Sequence, residues 1–227
     1  MAWHIERESK RLRARIEKGD PLWPAQLAVA SAIALHLLLS QKVVVGPTWV
    51  IPAVAGVLLI VLIVDGPSRA AQRSPRQRRL TLVLIGLVTL AYVVSLTLLV
   101  HYLITAGKAN GHSLIESGLV LWATNVLIFG VWYWELDRGG PVTRYRHPET
   151  LADFQFPQME NPLLAPKGWR PGFLDYLYTA LTNATAFSPT DTMPLTQTAK
   201  VLMGVQGTTA LVTVGLVVAR AVNILGT

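Results

Sequence analysis

Long unbroken apolar blocks, with no alternation of faces, dominate this chain. Four come early, at approximately Leu22–Leu39, Trp49–Val64, Leu80–Ile104 and Leu114–Trp134, and a fifth, Val201–Leu225, lies near the end. At about 1.5 Å per helical residue, each is read as long enough to cross roughly 30 Å of hydrocarbon. The pattern predicts an all-α integral membrane protein, with four transmembrane helices within 22–135 and a final transmembrane helix. Residues 1–21 are predicted as a basic helix, helical over 4–19, with Glu6 four positions before Lys10 as a supporting pair. Its only apolar contacts are Ile5, Leu12 and Ile16, which suits a solvated or headgroup-facing helix. Residues 136–171 are too polar to cross and are expected to form an ordered but irregular cap or linker. "WYWE" at 132–135 reads as an aromatic belt at a membrane face. No internal repeat is evident.

Composition agrees with the block pattern. The 227 residues are 52% hydrophobic and only 15% charged, with mean hydropathy +0.42; a soluble domain carries charge on about a quarter of its residues. The net charge of +7 raises nucleic acid as a partner. However, the basic residues sit beside apolar blocks, where membrane topology and anionic lipid account for them. Membrane lipid is the expected partner and nucleic acid is not. With no cysteine, thiolate chemistry and disulfides are excluded. The first twenty or so residues are polar and lack a small-residue cleavage site, so they are not read as a signal peptide.

Charge also orients the chain. "DGPSRAAQRSPRQRR" holds five arginines (Arg69, Arg73, Arg76, Arg78 and Arg79) and the N-terminal segment holds six Lys or Arg, whereas the links near Gly46 and Gly107–His112 carry only Lys108. The positive-inside rule therefore places the N-terminus in the cytoplasm.

The C-terminal module, 172–227, carries the candidate chemistry. "GFLDYLYTALTNATAF" is helical in character and follows Pro171, but Phe173–Ala184 supplies only twelve residues, about 18 Å of helix. A short helix, a polar Ser-Pro-Thr-Asp run and a full-length helix together form the pattern of a re-entrant loop. Irregular backbone at membrane depth survives only when buried in protein or lining water. A pore-lining role for Thr185, Ala186, Phe187, Ser188, Pro189, Thr190 and Asp191 follows. The plainer reading is a cap that joins two helices in a protein that conducts nothing.

The stretch "YLYTALTNATAFSPTDTMPLTQTAKVLMGVQGTTALVTVGLVVARA" resembles the pore helix, filter and inner helix of tetrameric potassium channels. In that resemblance Thr185 falls at the first filter threonine, Asp191 at the filter aspartate, Pro194 at the following proline and Lys200 at the basic residue of the inner helix. The whole chain also resembles bacterial membrane proteins of similar length that end in such a segment, which implies a bacterial inner-membrane location but no activity. The channel resemblance implies a homotetramer with a monovalent cation as its cargo. Where the channel family has Val-Gly-Tyr-Gly, this chain has Phe187-Ser188-Pro189-Thr190. Aiming successive carbonyls at an ion needs glycine backbone angles, and Pro189 fixes its own φ while pushing Ser188 toward an extended form. The expectation is a wider, hydrated constriction with hydroxyls of Thr185, Ser188 and Thr190, a ring of Asp191 carboxylates and poor potassium selectivity.

Topology leaves three solutions. Four crossings from a cytoplasmic N-terminus leave the cap in the cytoplasm, so a re-entrant loop from that side makes the last helix run outward, as in ionotropic glutamate receptors. Alternatively, Pro171–Phe187 stretches into a sixth crossing of about 25 Å. The third places the N-terminus outside, against eleven basic residues.

Gly204, Gly207, Ala210 and Gly215 allow close approach on the last helix, for an oligomeric seam or for packing within the chain. His36, His101, Glu116 and Asn125 are polar residues within apolar blocks, and a His/Glu pair is one route to a proton site. Hydrogen bonding between helices is the plainer role. The histidines show no metal-ligand spacing, and no nucleophile elbow, phosphate loop or paired-carboxylate arrangement supports an enzyme or a bound cofactor. The expected function is a tetrameric, channel-like cation pathway. The competing reading is a non-conducting scaffold or small-solute transporter built from the same helices.

Overall fold

The computed structural model describes residues 19–67, 69–105, 111–147, 149–161, 163, 165–166, 168–185 and 191–225. The predicted N-terminal helix at 4–19 lies outside them apart from its last residue. The chain is mostly helical. In order run α1 (Trp23–His36), α2 (Val50–Val64), α3 (Pro75–Thr105), α4 (Gly111–Leu136), the short α5 (Pro141–Arg146) and α6 (Pro157–Glu160), α7 (Phe173–Thr185) and α8 (Gln197–Leu225). Two two-residue strands, β1 (Phe154–Gln155) and β2 (Met193–Pro194), pair antiparallel.

Among the described residues three helices, α3, α4 and α8, are long and apolar enough to cross a membrane. The expected count of four N-terminal crossings is not confirmed by helix length. α1 has 14 residues and α2 has 15, about 21 and 22 Å of helix, short of roughly 30 Å of hydrocarbon. The first block continues beyond α1 into a turn at 37–39, where the backbone no longer rises as a helix, whereas the second exceeds α2 by Trp49 alone.

Helix starts follow local sequence. At α3, the backbone N–H of Gln77 donates to Ser74 Oγ (3.2 Å) while the Ser74 N–H donates to Gln77 Oε1 (2.9 Å). This reciprocal capping box has Pro75 as the first helical residue. At α8, the Ala199 N–H donates to Thr196 Oγ1 at 3.3 Å, a single-sided N-cap.

α4 is the central helix and packs against α1, α3, α7 and α8. Contacts fix the directions. α3 meets α4 at Arg73–Glu135, Thr89–Trp132 and Tyr92–Asn125, so the two are antiparallel. α7 meets it at Tyr176–Asp137 and Ala184–Trp122, and α8 at Gln206–Tyr133 and Thr209–Asn125. Both α7 and α8 therefore run away from the 137–171 end. That end, the cap face, also holds Asp20 and the 69–73 turn, since the Ala70 N–H donates to the Asp20 carbonyl at 2.9 Å. Ser40, bonded to Ser117 Oγ at 3.1 Å, marks the opposite face.

The "WYWE" belt is also corrected. Tyr133, Trp134 and Glu135 are fully buried, and Trp132 donates its indole N–H to Thr89 Oγ1 at 2.9 Å. The run lies in the middle of the bundle because α4 is enclosed by four neighbours. The apolar surface left outside belongs instead to α2 (Val54, Val57, Ile60) and α8 (Val205, Leu211, Val218).

At the α4–α7 crossing a Cβ on Gly130 would sit 3.1 Å from the Leu177 Cα, whereas one on Gly204 would meet nothing within 4 Å. Gly130→Val is expected to cost about 1–3 kcal/mol through overpacking. Gly204→Val should leave the stability of the single chain within about 0.5 kcal/mol. Thermal unfolding of both variants in detergent checks this, and equal effects would contradict the placement of α7.

Candidate functional site

The polar frame starts where α4 ends. Arg138 has φ 53° and Gly140 φ 98°, and a Cβ on Gly140 would lie 2.8 Å from the Glu135 carbonyl, so this turn requires glycine. The turn drops Asp137 into the interior with no solvent exposure. Its Oδ1 accepts from the N–H groups of Asp153 (2.8 Å) and Phe154 (3.4 Å), and its Oδ2 accepts from the Tyr176 hydroxyl (2.6 Å). Arg144 Nη1 approaches to 4.0 Å and donates to the carbonyls of Trp134 (2.6 Å) and Asp137 (2.9 Å). One carboxylate thus joins α4, the cap and the first turn of α7.

Asp153 repeats the device one step outward. It accepts from the Arg138 N–H at 2.7 Å and from Thr196 Oγ1 at 2.6 Å, and its carbonyl takes the Leu195 N–H at 2.8 Å. The segment before α8 is thereby held at the cap face. α7 leaves that face at Phe173 and descends about 20 Å; the chain is back beside α7 by Thr192, whose Oγ1 accepts from Thr179 Oγ1 at 3.1 Å. α8 then starts at the cap face. This course brings both ends of 173–194 to the cap face, as the first and third topologies require and the sixth crossing does not.

Deeper in, Asn183 on α7 donates to Gln206 Oε1 (2.8 Å) and to the Met203 carbonyl (2.9 Å). Gln206 donates to the Ala180 carbonyl at 2.8 Å and also bonds the Tyr133 hydroxyl. These groups satisfy one another where water is scarce. At the end of α7 the Thr185 hydroxyl donates to the Thr182 carbonyl at 2.8 Å.

The expected pore-lining residues Ala186, Phe187, Ser188, Pro189 and Thr190 lie outside the described residues. Thr185 ends α7 and Asp191 is exposed where the description resumes. The small residues of α8 divide. Ala210 is buried and a Cβ on Gly207 would lie 3.7 Å from the Asn183 carbonyl, whereas one on Gly204 or Gly215 would face open space. Asn125 is buried, with Nδ2 donating to the Tyr92 hydroxyl (2.9 Å) and Thr209 Oγ1 (3.0 Å), so it serves as a bond between helices. His36 is buried while His101 and Glu116 are exposed. No hydrogen bond or ion pair among the described residues joins them, so the structure does not bring the His/Glu pair together.

Sequence reasoning passed over Glu135, Asp137, Arg144, Asn183 and Gln206, and counted Arg73 only among the orienting arginines of a cytoplasmic loop. Arg73 is in fact buried, with Nη1 2.6 Å from Glu135 Oε1 and Nη2 bonded to Thr81 Oγ1. Polar side chains inside or at the edge of apolar blocks were the available signal. Near this pair, Leu22, Leu59, Leu62 and Thr81 help line a narrow crevice of about 40 Å³, and Glu135 Oε2 has no hydrogen-bond partner.

Two groups at the cap face are shifted. Burial, and then the Asp20 carboxylate, push the Tyr145 hydroxyl upward; it donates to Asp20 Oδ1 at 2.9 Å. Burial also raises Asp175, opposed by the bond from the Gly172 N–H at 2.7 Å and reinforced by Asp20.

A scan against models of known protein families, a search of functionally described proteins and a search of solved structures each returned no match.

Removing one partner of a buried ion pair leaves an uncompensated charge, at about 3–5 kcal/mol. Arg73→Ala is expected to lose stability on that scale, and Arg73→Met combined with Glu135→Leu to recover most of it. Denaturant unfolding of both in detergent tests this, and equal losses would contradict it. A carboxylate whose pKa is raised by folding adds stability at acid pH that is lost as pH rises through the folded value. Asp175→Asn should therefore raise the melting temperature at about pH 7.5 and lose that advantage toward about pH 4. A variant that is less stable across the whole range would show that the charged cap outweighs burial.

Proposed function

We propose that the chain forms a homotetrameric cation pathway in a membrane, with residues 185–191 at its constriction and the cap face in the cytoplasm. The observation that carries this reading is the course of the C-terminal hairpin: α7 and α8 both begin at the cap face, held there by Asp137 and Asp153. The C-terminus of α7, with the negative end of its helix dipole, falls at Thr185, the first residue of the proposed constriction. One hairpin cannot enclose a path, so copies must surround it. The faces that would meet are uncovered, with Gly204, Val205 and Gly215 exposed on α8 and Leu174, Tyr178 and Leu181 on α7. The arginines Arg69, Arg73, Arg76 and Arg78 support the cytoplasmic assignment of the cap end. The last helix then runs outward, opposite to a potassium channel. The missing filter glycines and Pro189 argue for weak discrimination between potassium and sodium.

A second reading, a non-conducting scaffold or small-solute transporter, is favoured by the Tyr133–Asn183–Gln206 network. It holds the hairpin onto α4 without help from another copy.

Mass measurement in nanodiscs is expected to give four chains, and a monodisperse monomer would overturn the channel reading. In the tetramer, Asp191→Asn should assemble normally yet lower cation flux at low ionic strength, with little change at high salt, because screening removes the effect of a carboxylate ring. Liposome flux across a salt series reads this out. Unchanged flux at every salt would remove Asp191 from the pathway.

A further inference from the structure

An open cleft of about 640 Å³ lies in the cap, between α5, α6 and the segment leading into α7. Arg138, Arg144 and Arg170 all line it, together with Trp169, Tyr145 and Gln158, and no carboxylate does among the described residues. The acids behind it are already engaged. Asp137 accepts from two backbone N–H groups and from Tyr176. Asp153 accepts from the Arg138 N–H and from Thr196, and Asp20 accepts from Tyr145.

Arg144 is the decisive side chain. It is only 5% exposed, and its Nη1 is committed to the Trp134 and Asp137 carbonyls. Its Nη2 is buried and has no hydrogen-bond partner. A buried guanidinium N–H left unpaired costs more than a neutral one, because charge-assisted bonds are the stronger class. Gln158 Oε1 is likewise buried without a donor. The Arg170 guanidinium stands 5.5 Å from the Tyr145 ring centroid, and its Nη1 donates to the Arg144 carbonyl at 3.4 Å, so it is held beside Arg144 at the mouth of the same cleft.

From these groups we infer that the cap cleft is a binding site for a phosphate-type oxyanion, held by Arg144 Nη2 and Arg170 with Gln158 Oε1 accepting a hydroxyl proton from it. Guanidiniums present parallel N–H groups that match such oxygens. A protonated phosphate oxygen or an adjacent hydroxyl supplies the donor that Gln158 lacks. The site goes beyond the proposed cation pathway and does not depend on it. Two sources offer this chemistry, a free phosphate and the headgroup of an anionic lipid.

The test uses the full chain in nanodiscs. In phosphatidylcholine discs it is titrated with inorganic phosphate against chloride at equal ionic strength, reading melting temperature and calorimetric heat. In parallel, discs containing phosphatidylglycerol are analysed by native mass spectrometry for retained lipid. Saturable phosphate binding that Arg170→Gln weakens by about tenfold or more, the loss of one charge-assisted bond, identifies a free oxyanion. No phosphate effect, but phosphatidylglycerol retained by the parent chain and lost in Arg170→Gln, identifies the lipid headgroup. Gln158→Glu, which adds a repelling carboxylate without deleting an arginine, should reduce either signal and serves if Arg170→Gln fails to fold. If neither ligand binds, or binding is unchanged in both variants, the inference is overturned.

Discussion

A charged carboxylate cannot be shut away from water unless other groups replace its hydration, and Asp137 imposes that constraint on the C-terminal half of this protein. Fully buried at the end of α4, it takes two backbone N–H groups from the cap and the Tyr176 hydroxyl from α7, with Arg144 close by. Each donor comes from a different part of the chain. Satisfying one side chain therefore sets where the cap folds back and where α7 starts. Asp153, placed by the same turn, extends the arrangement to Thr196 and the start of α8.

From that anchor the rest of the hairpin follows by packing. The close approach of α7 at Gly130 and the Asn183–Gln206 bonds lock α7 and α8 side by side against α4. The buried side of α8 is consumed within the chain through Gln206, Gly207, Ala210 and Thr213, and its other side, with Gly204 and Gly215, is left bare. A long apolar helix with one satisfied face and one bare, glycine-containing face needs lipid or further copies to cover it. The proposed pathway assigns that covering to three other chains.

The helical class, the polar cap and the short C-terminal helix were legible because each is written in local pattern. The apolar blocks mark α3, α4 and α8, and the apolar run Phe173–Ala184 ahead of the Ser-Pro-Thr-Asp stretch marks α7. Block length overstated α1, because hydropathy does not distinguish a helix from the apolar turn at 37–39 that extends it. The aromatic run at 132–135 was misplaced for a related reason. Whether Trp and Tyr face lipid or protein depends on which helix is central, a fact of tertiary packing. The polar frame was hidden because its pairs are far apart in sequence. Arg73 and Glu135 are separated by 62 positions and Asp137 and Tyr176 by 39, and a single sequence gives no spacing rule for either.

The central claim is that the chain enters and leaves the C-terminal hairpin on one face. The absence of native cysteine allows single cysteines to be placed and labelled with an impermeant maleimide in vesicles of known orientation. Leu163, Leu195 and Gln41 are exposed, the first two at the cap end and the third at the opposite end. The account predicts that Leu163→Cys and Leu195→Cys are both labelled from the cytoplasmic side and Gln41→Cys only from the other. Labelling of Leu163→Cys and Leu195→Cys from opposite sides would mean that 173–194 crosses the membrane, and would contradict it.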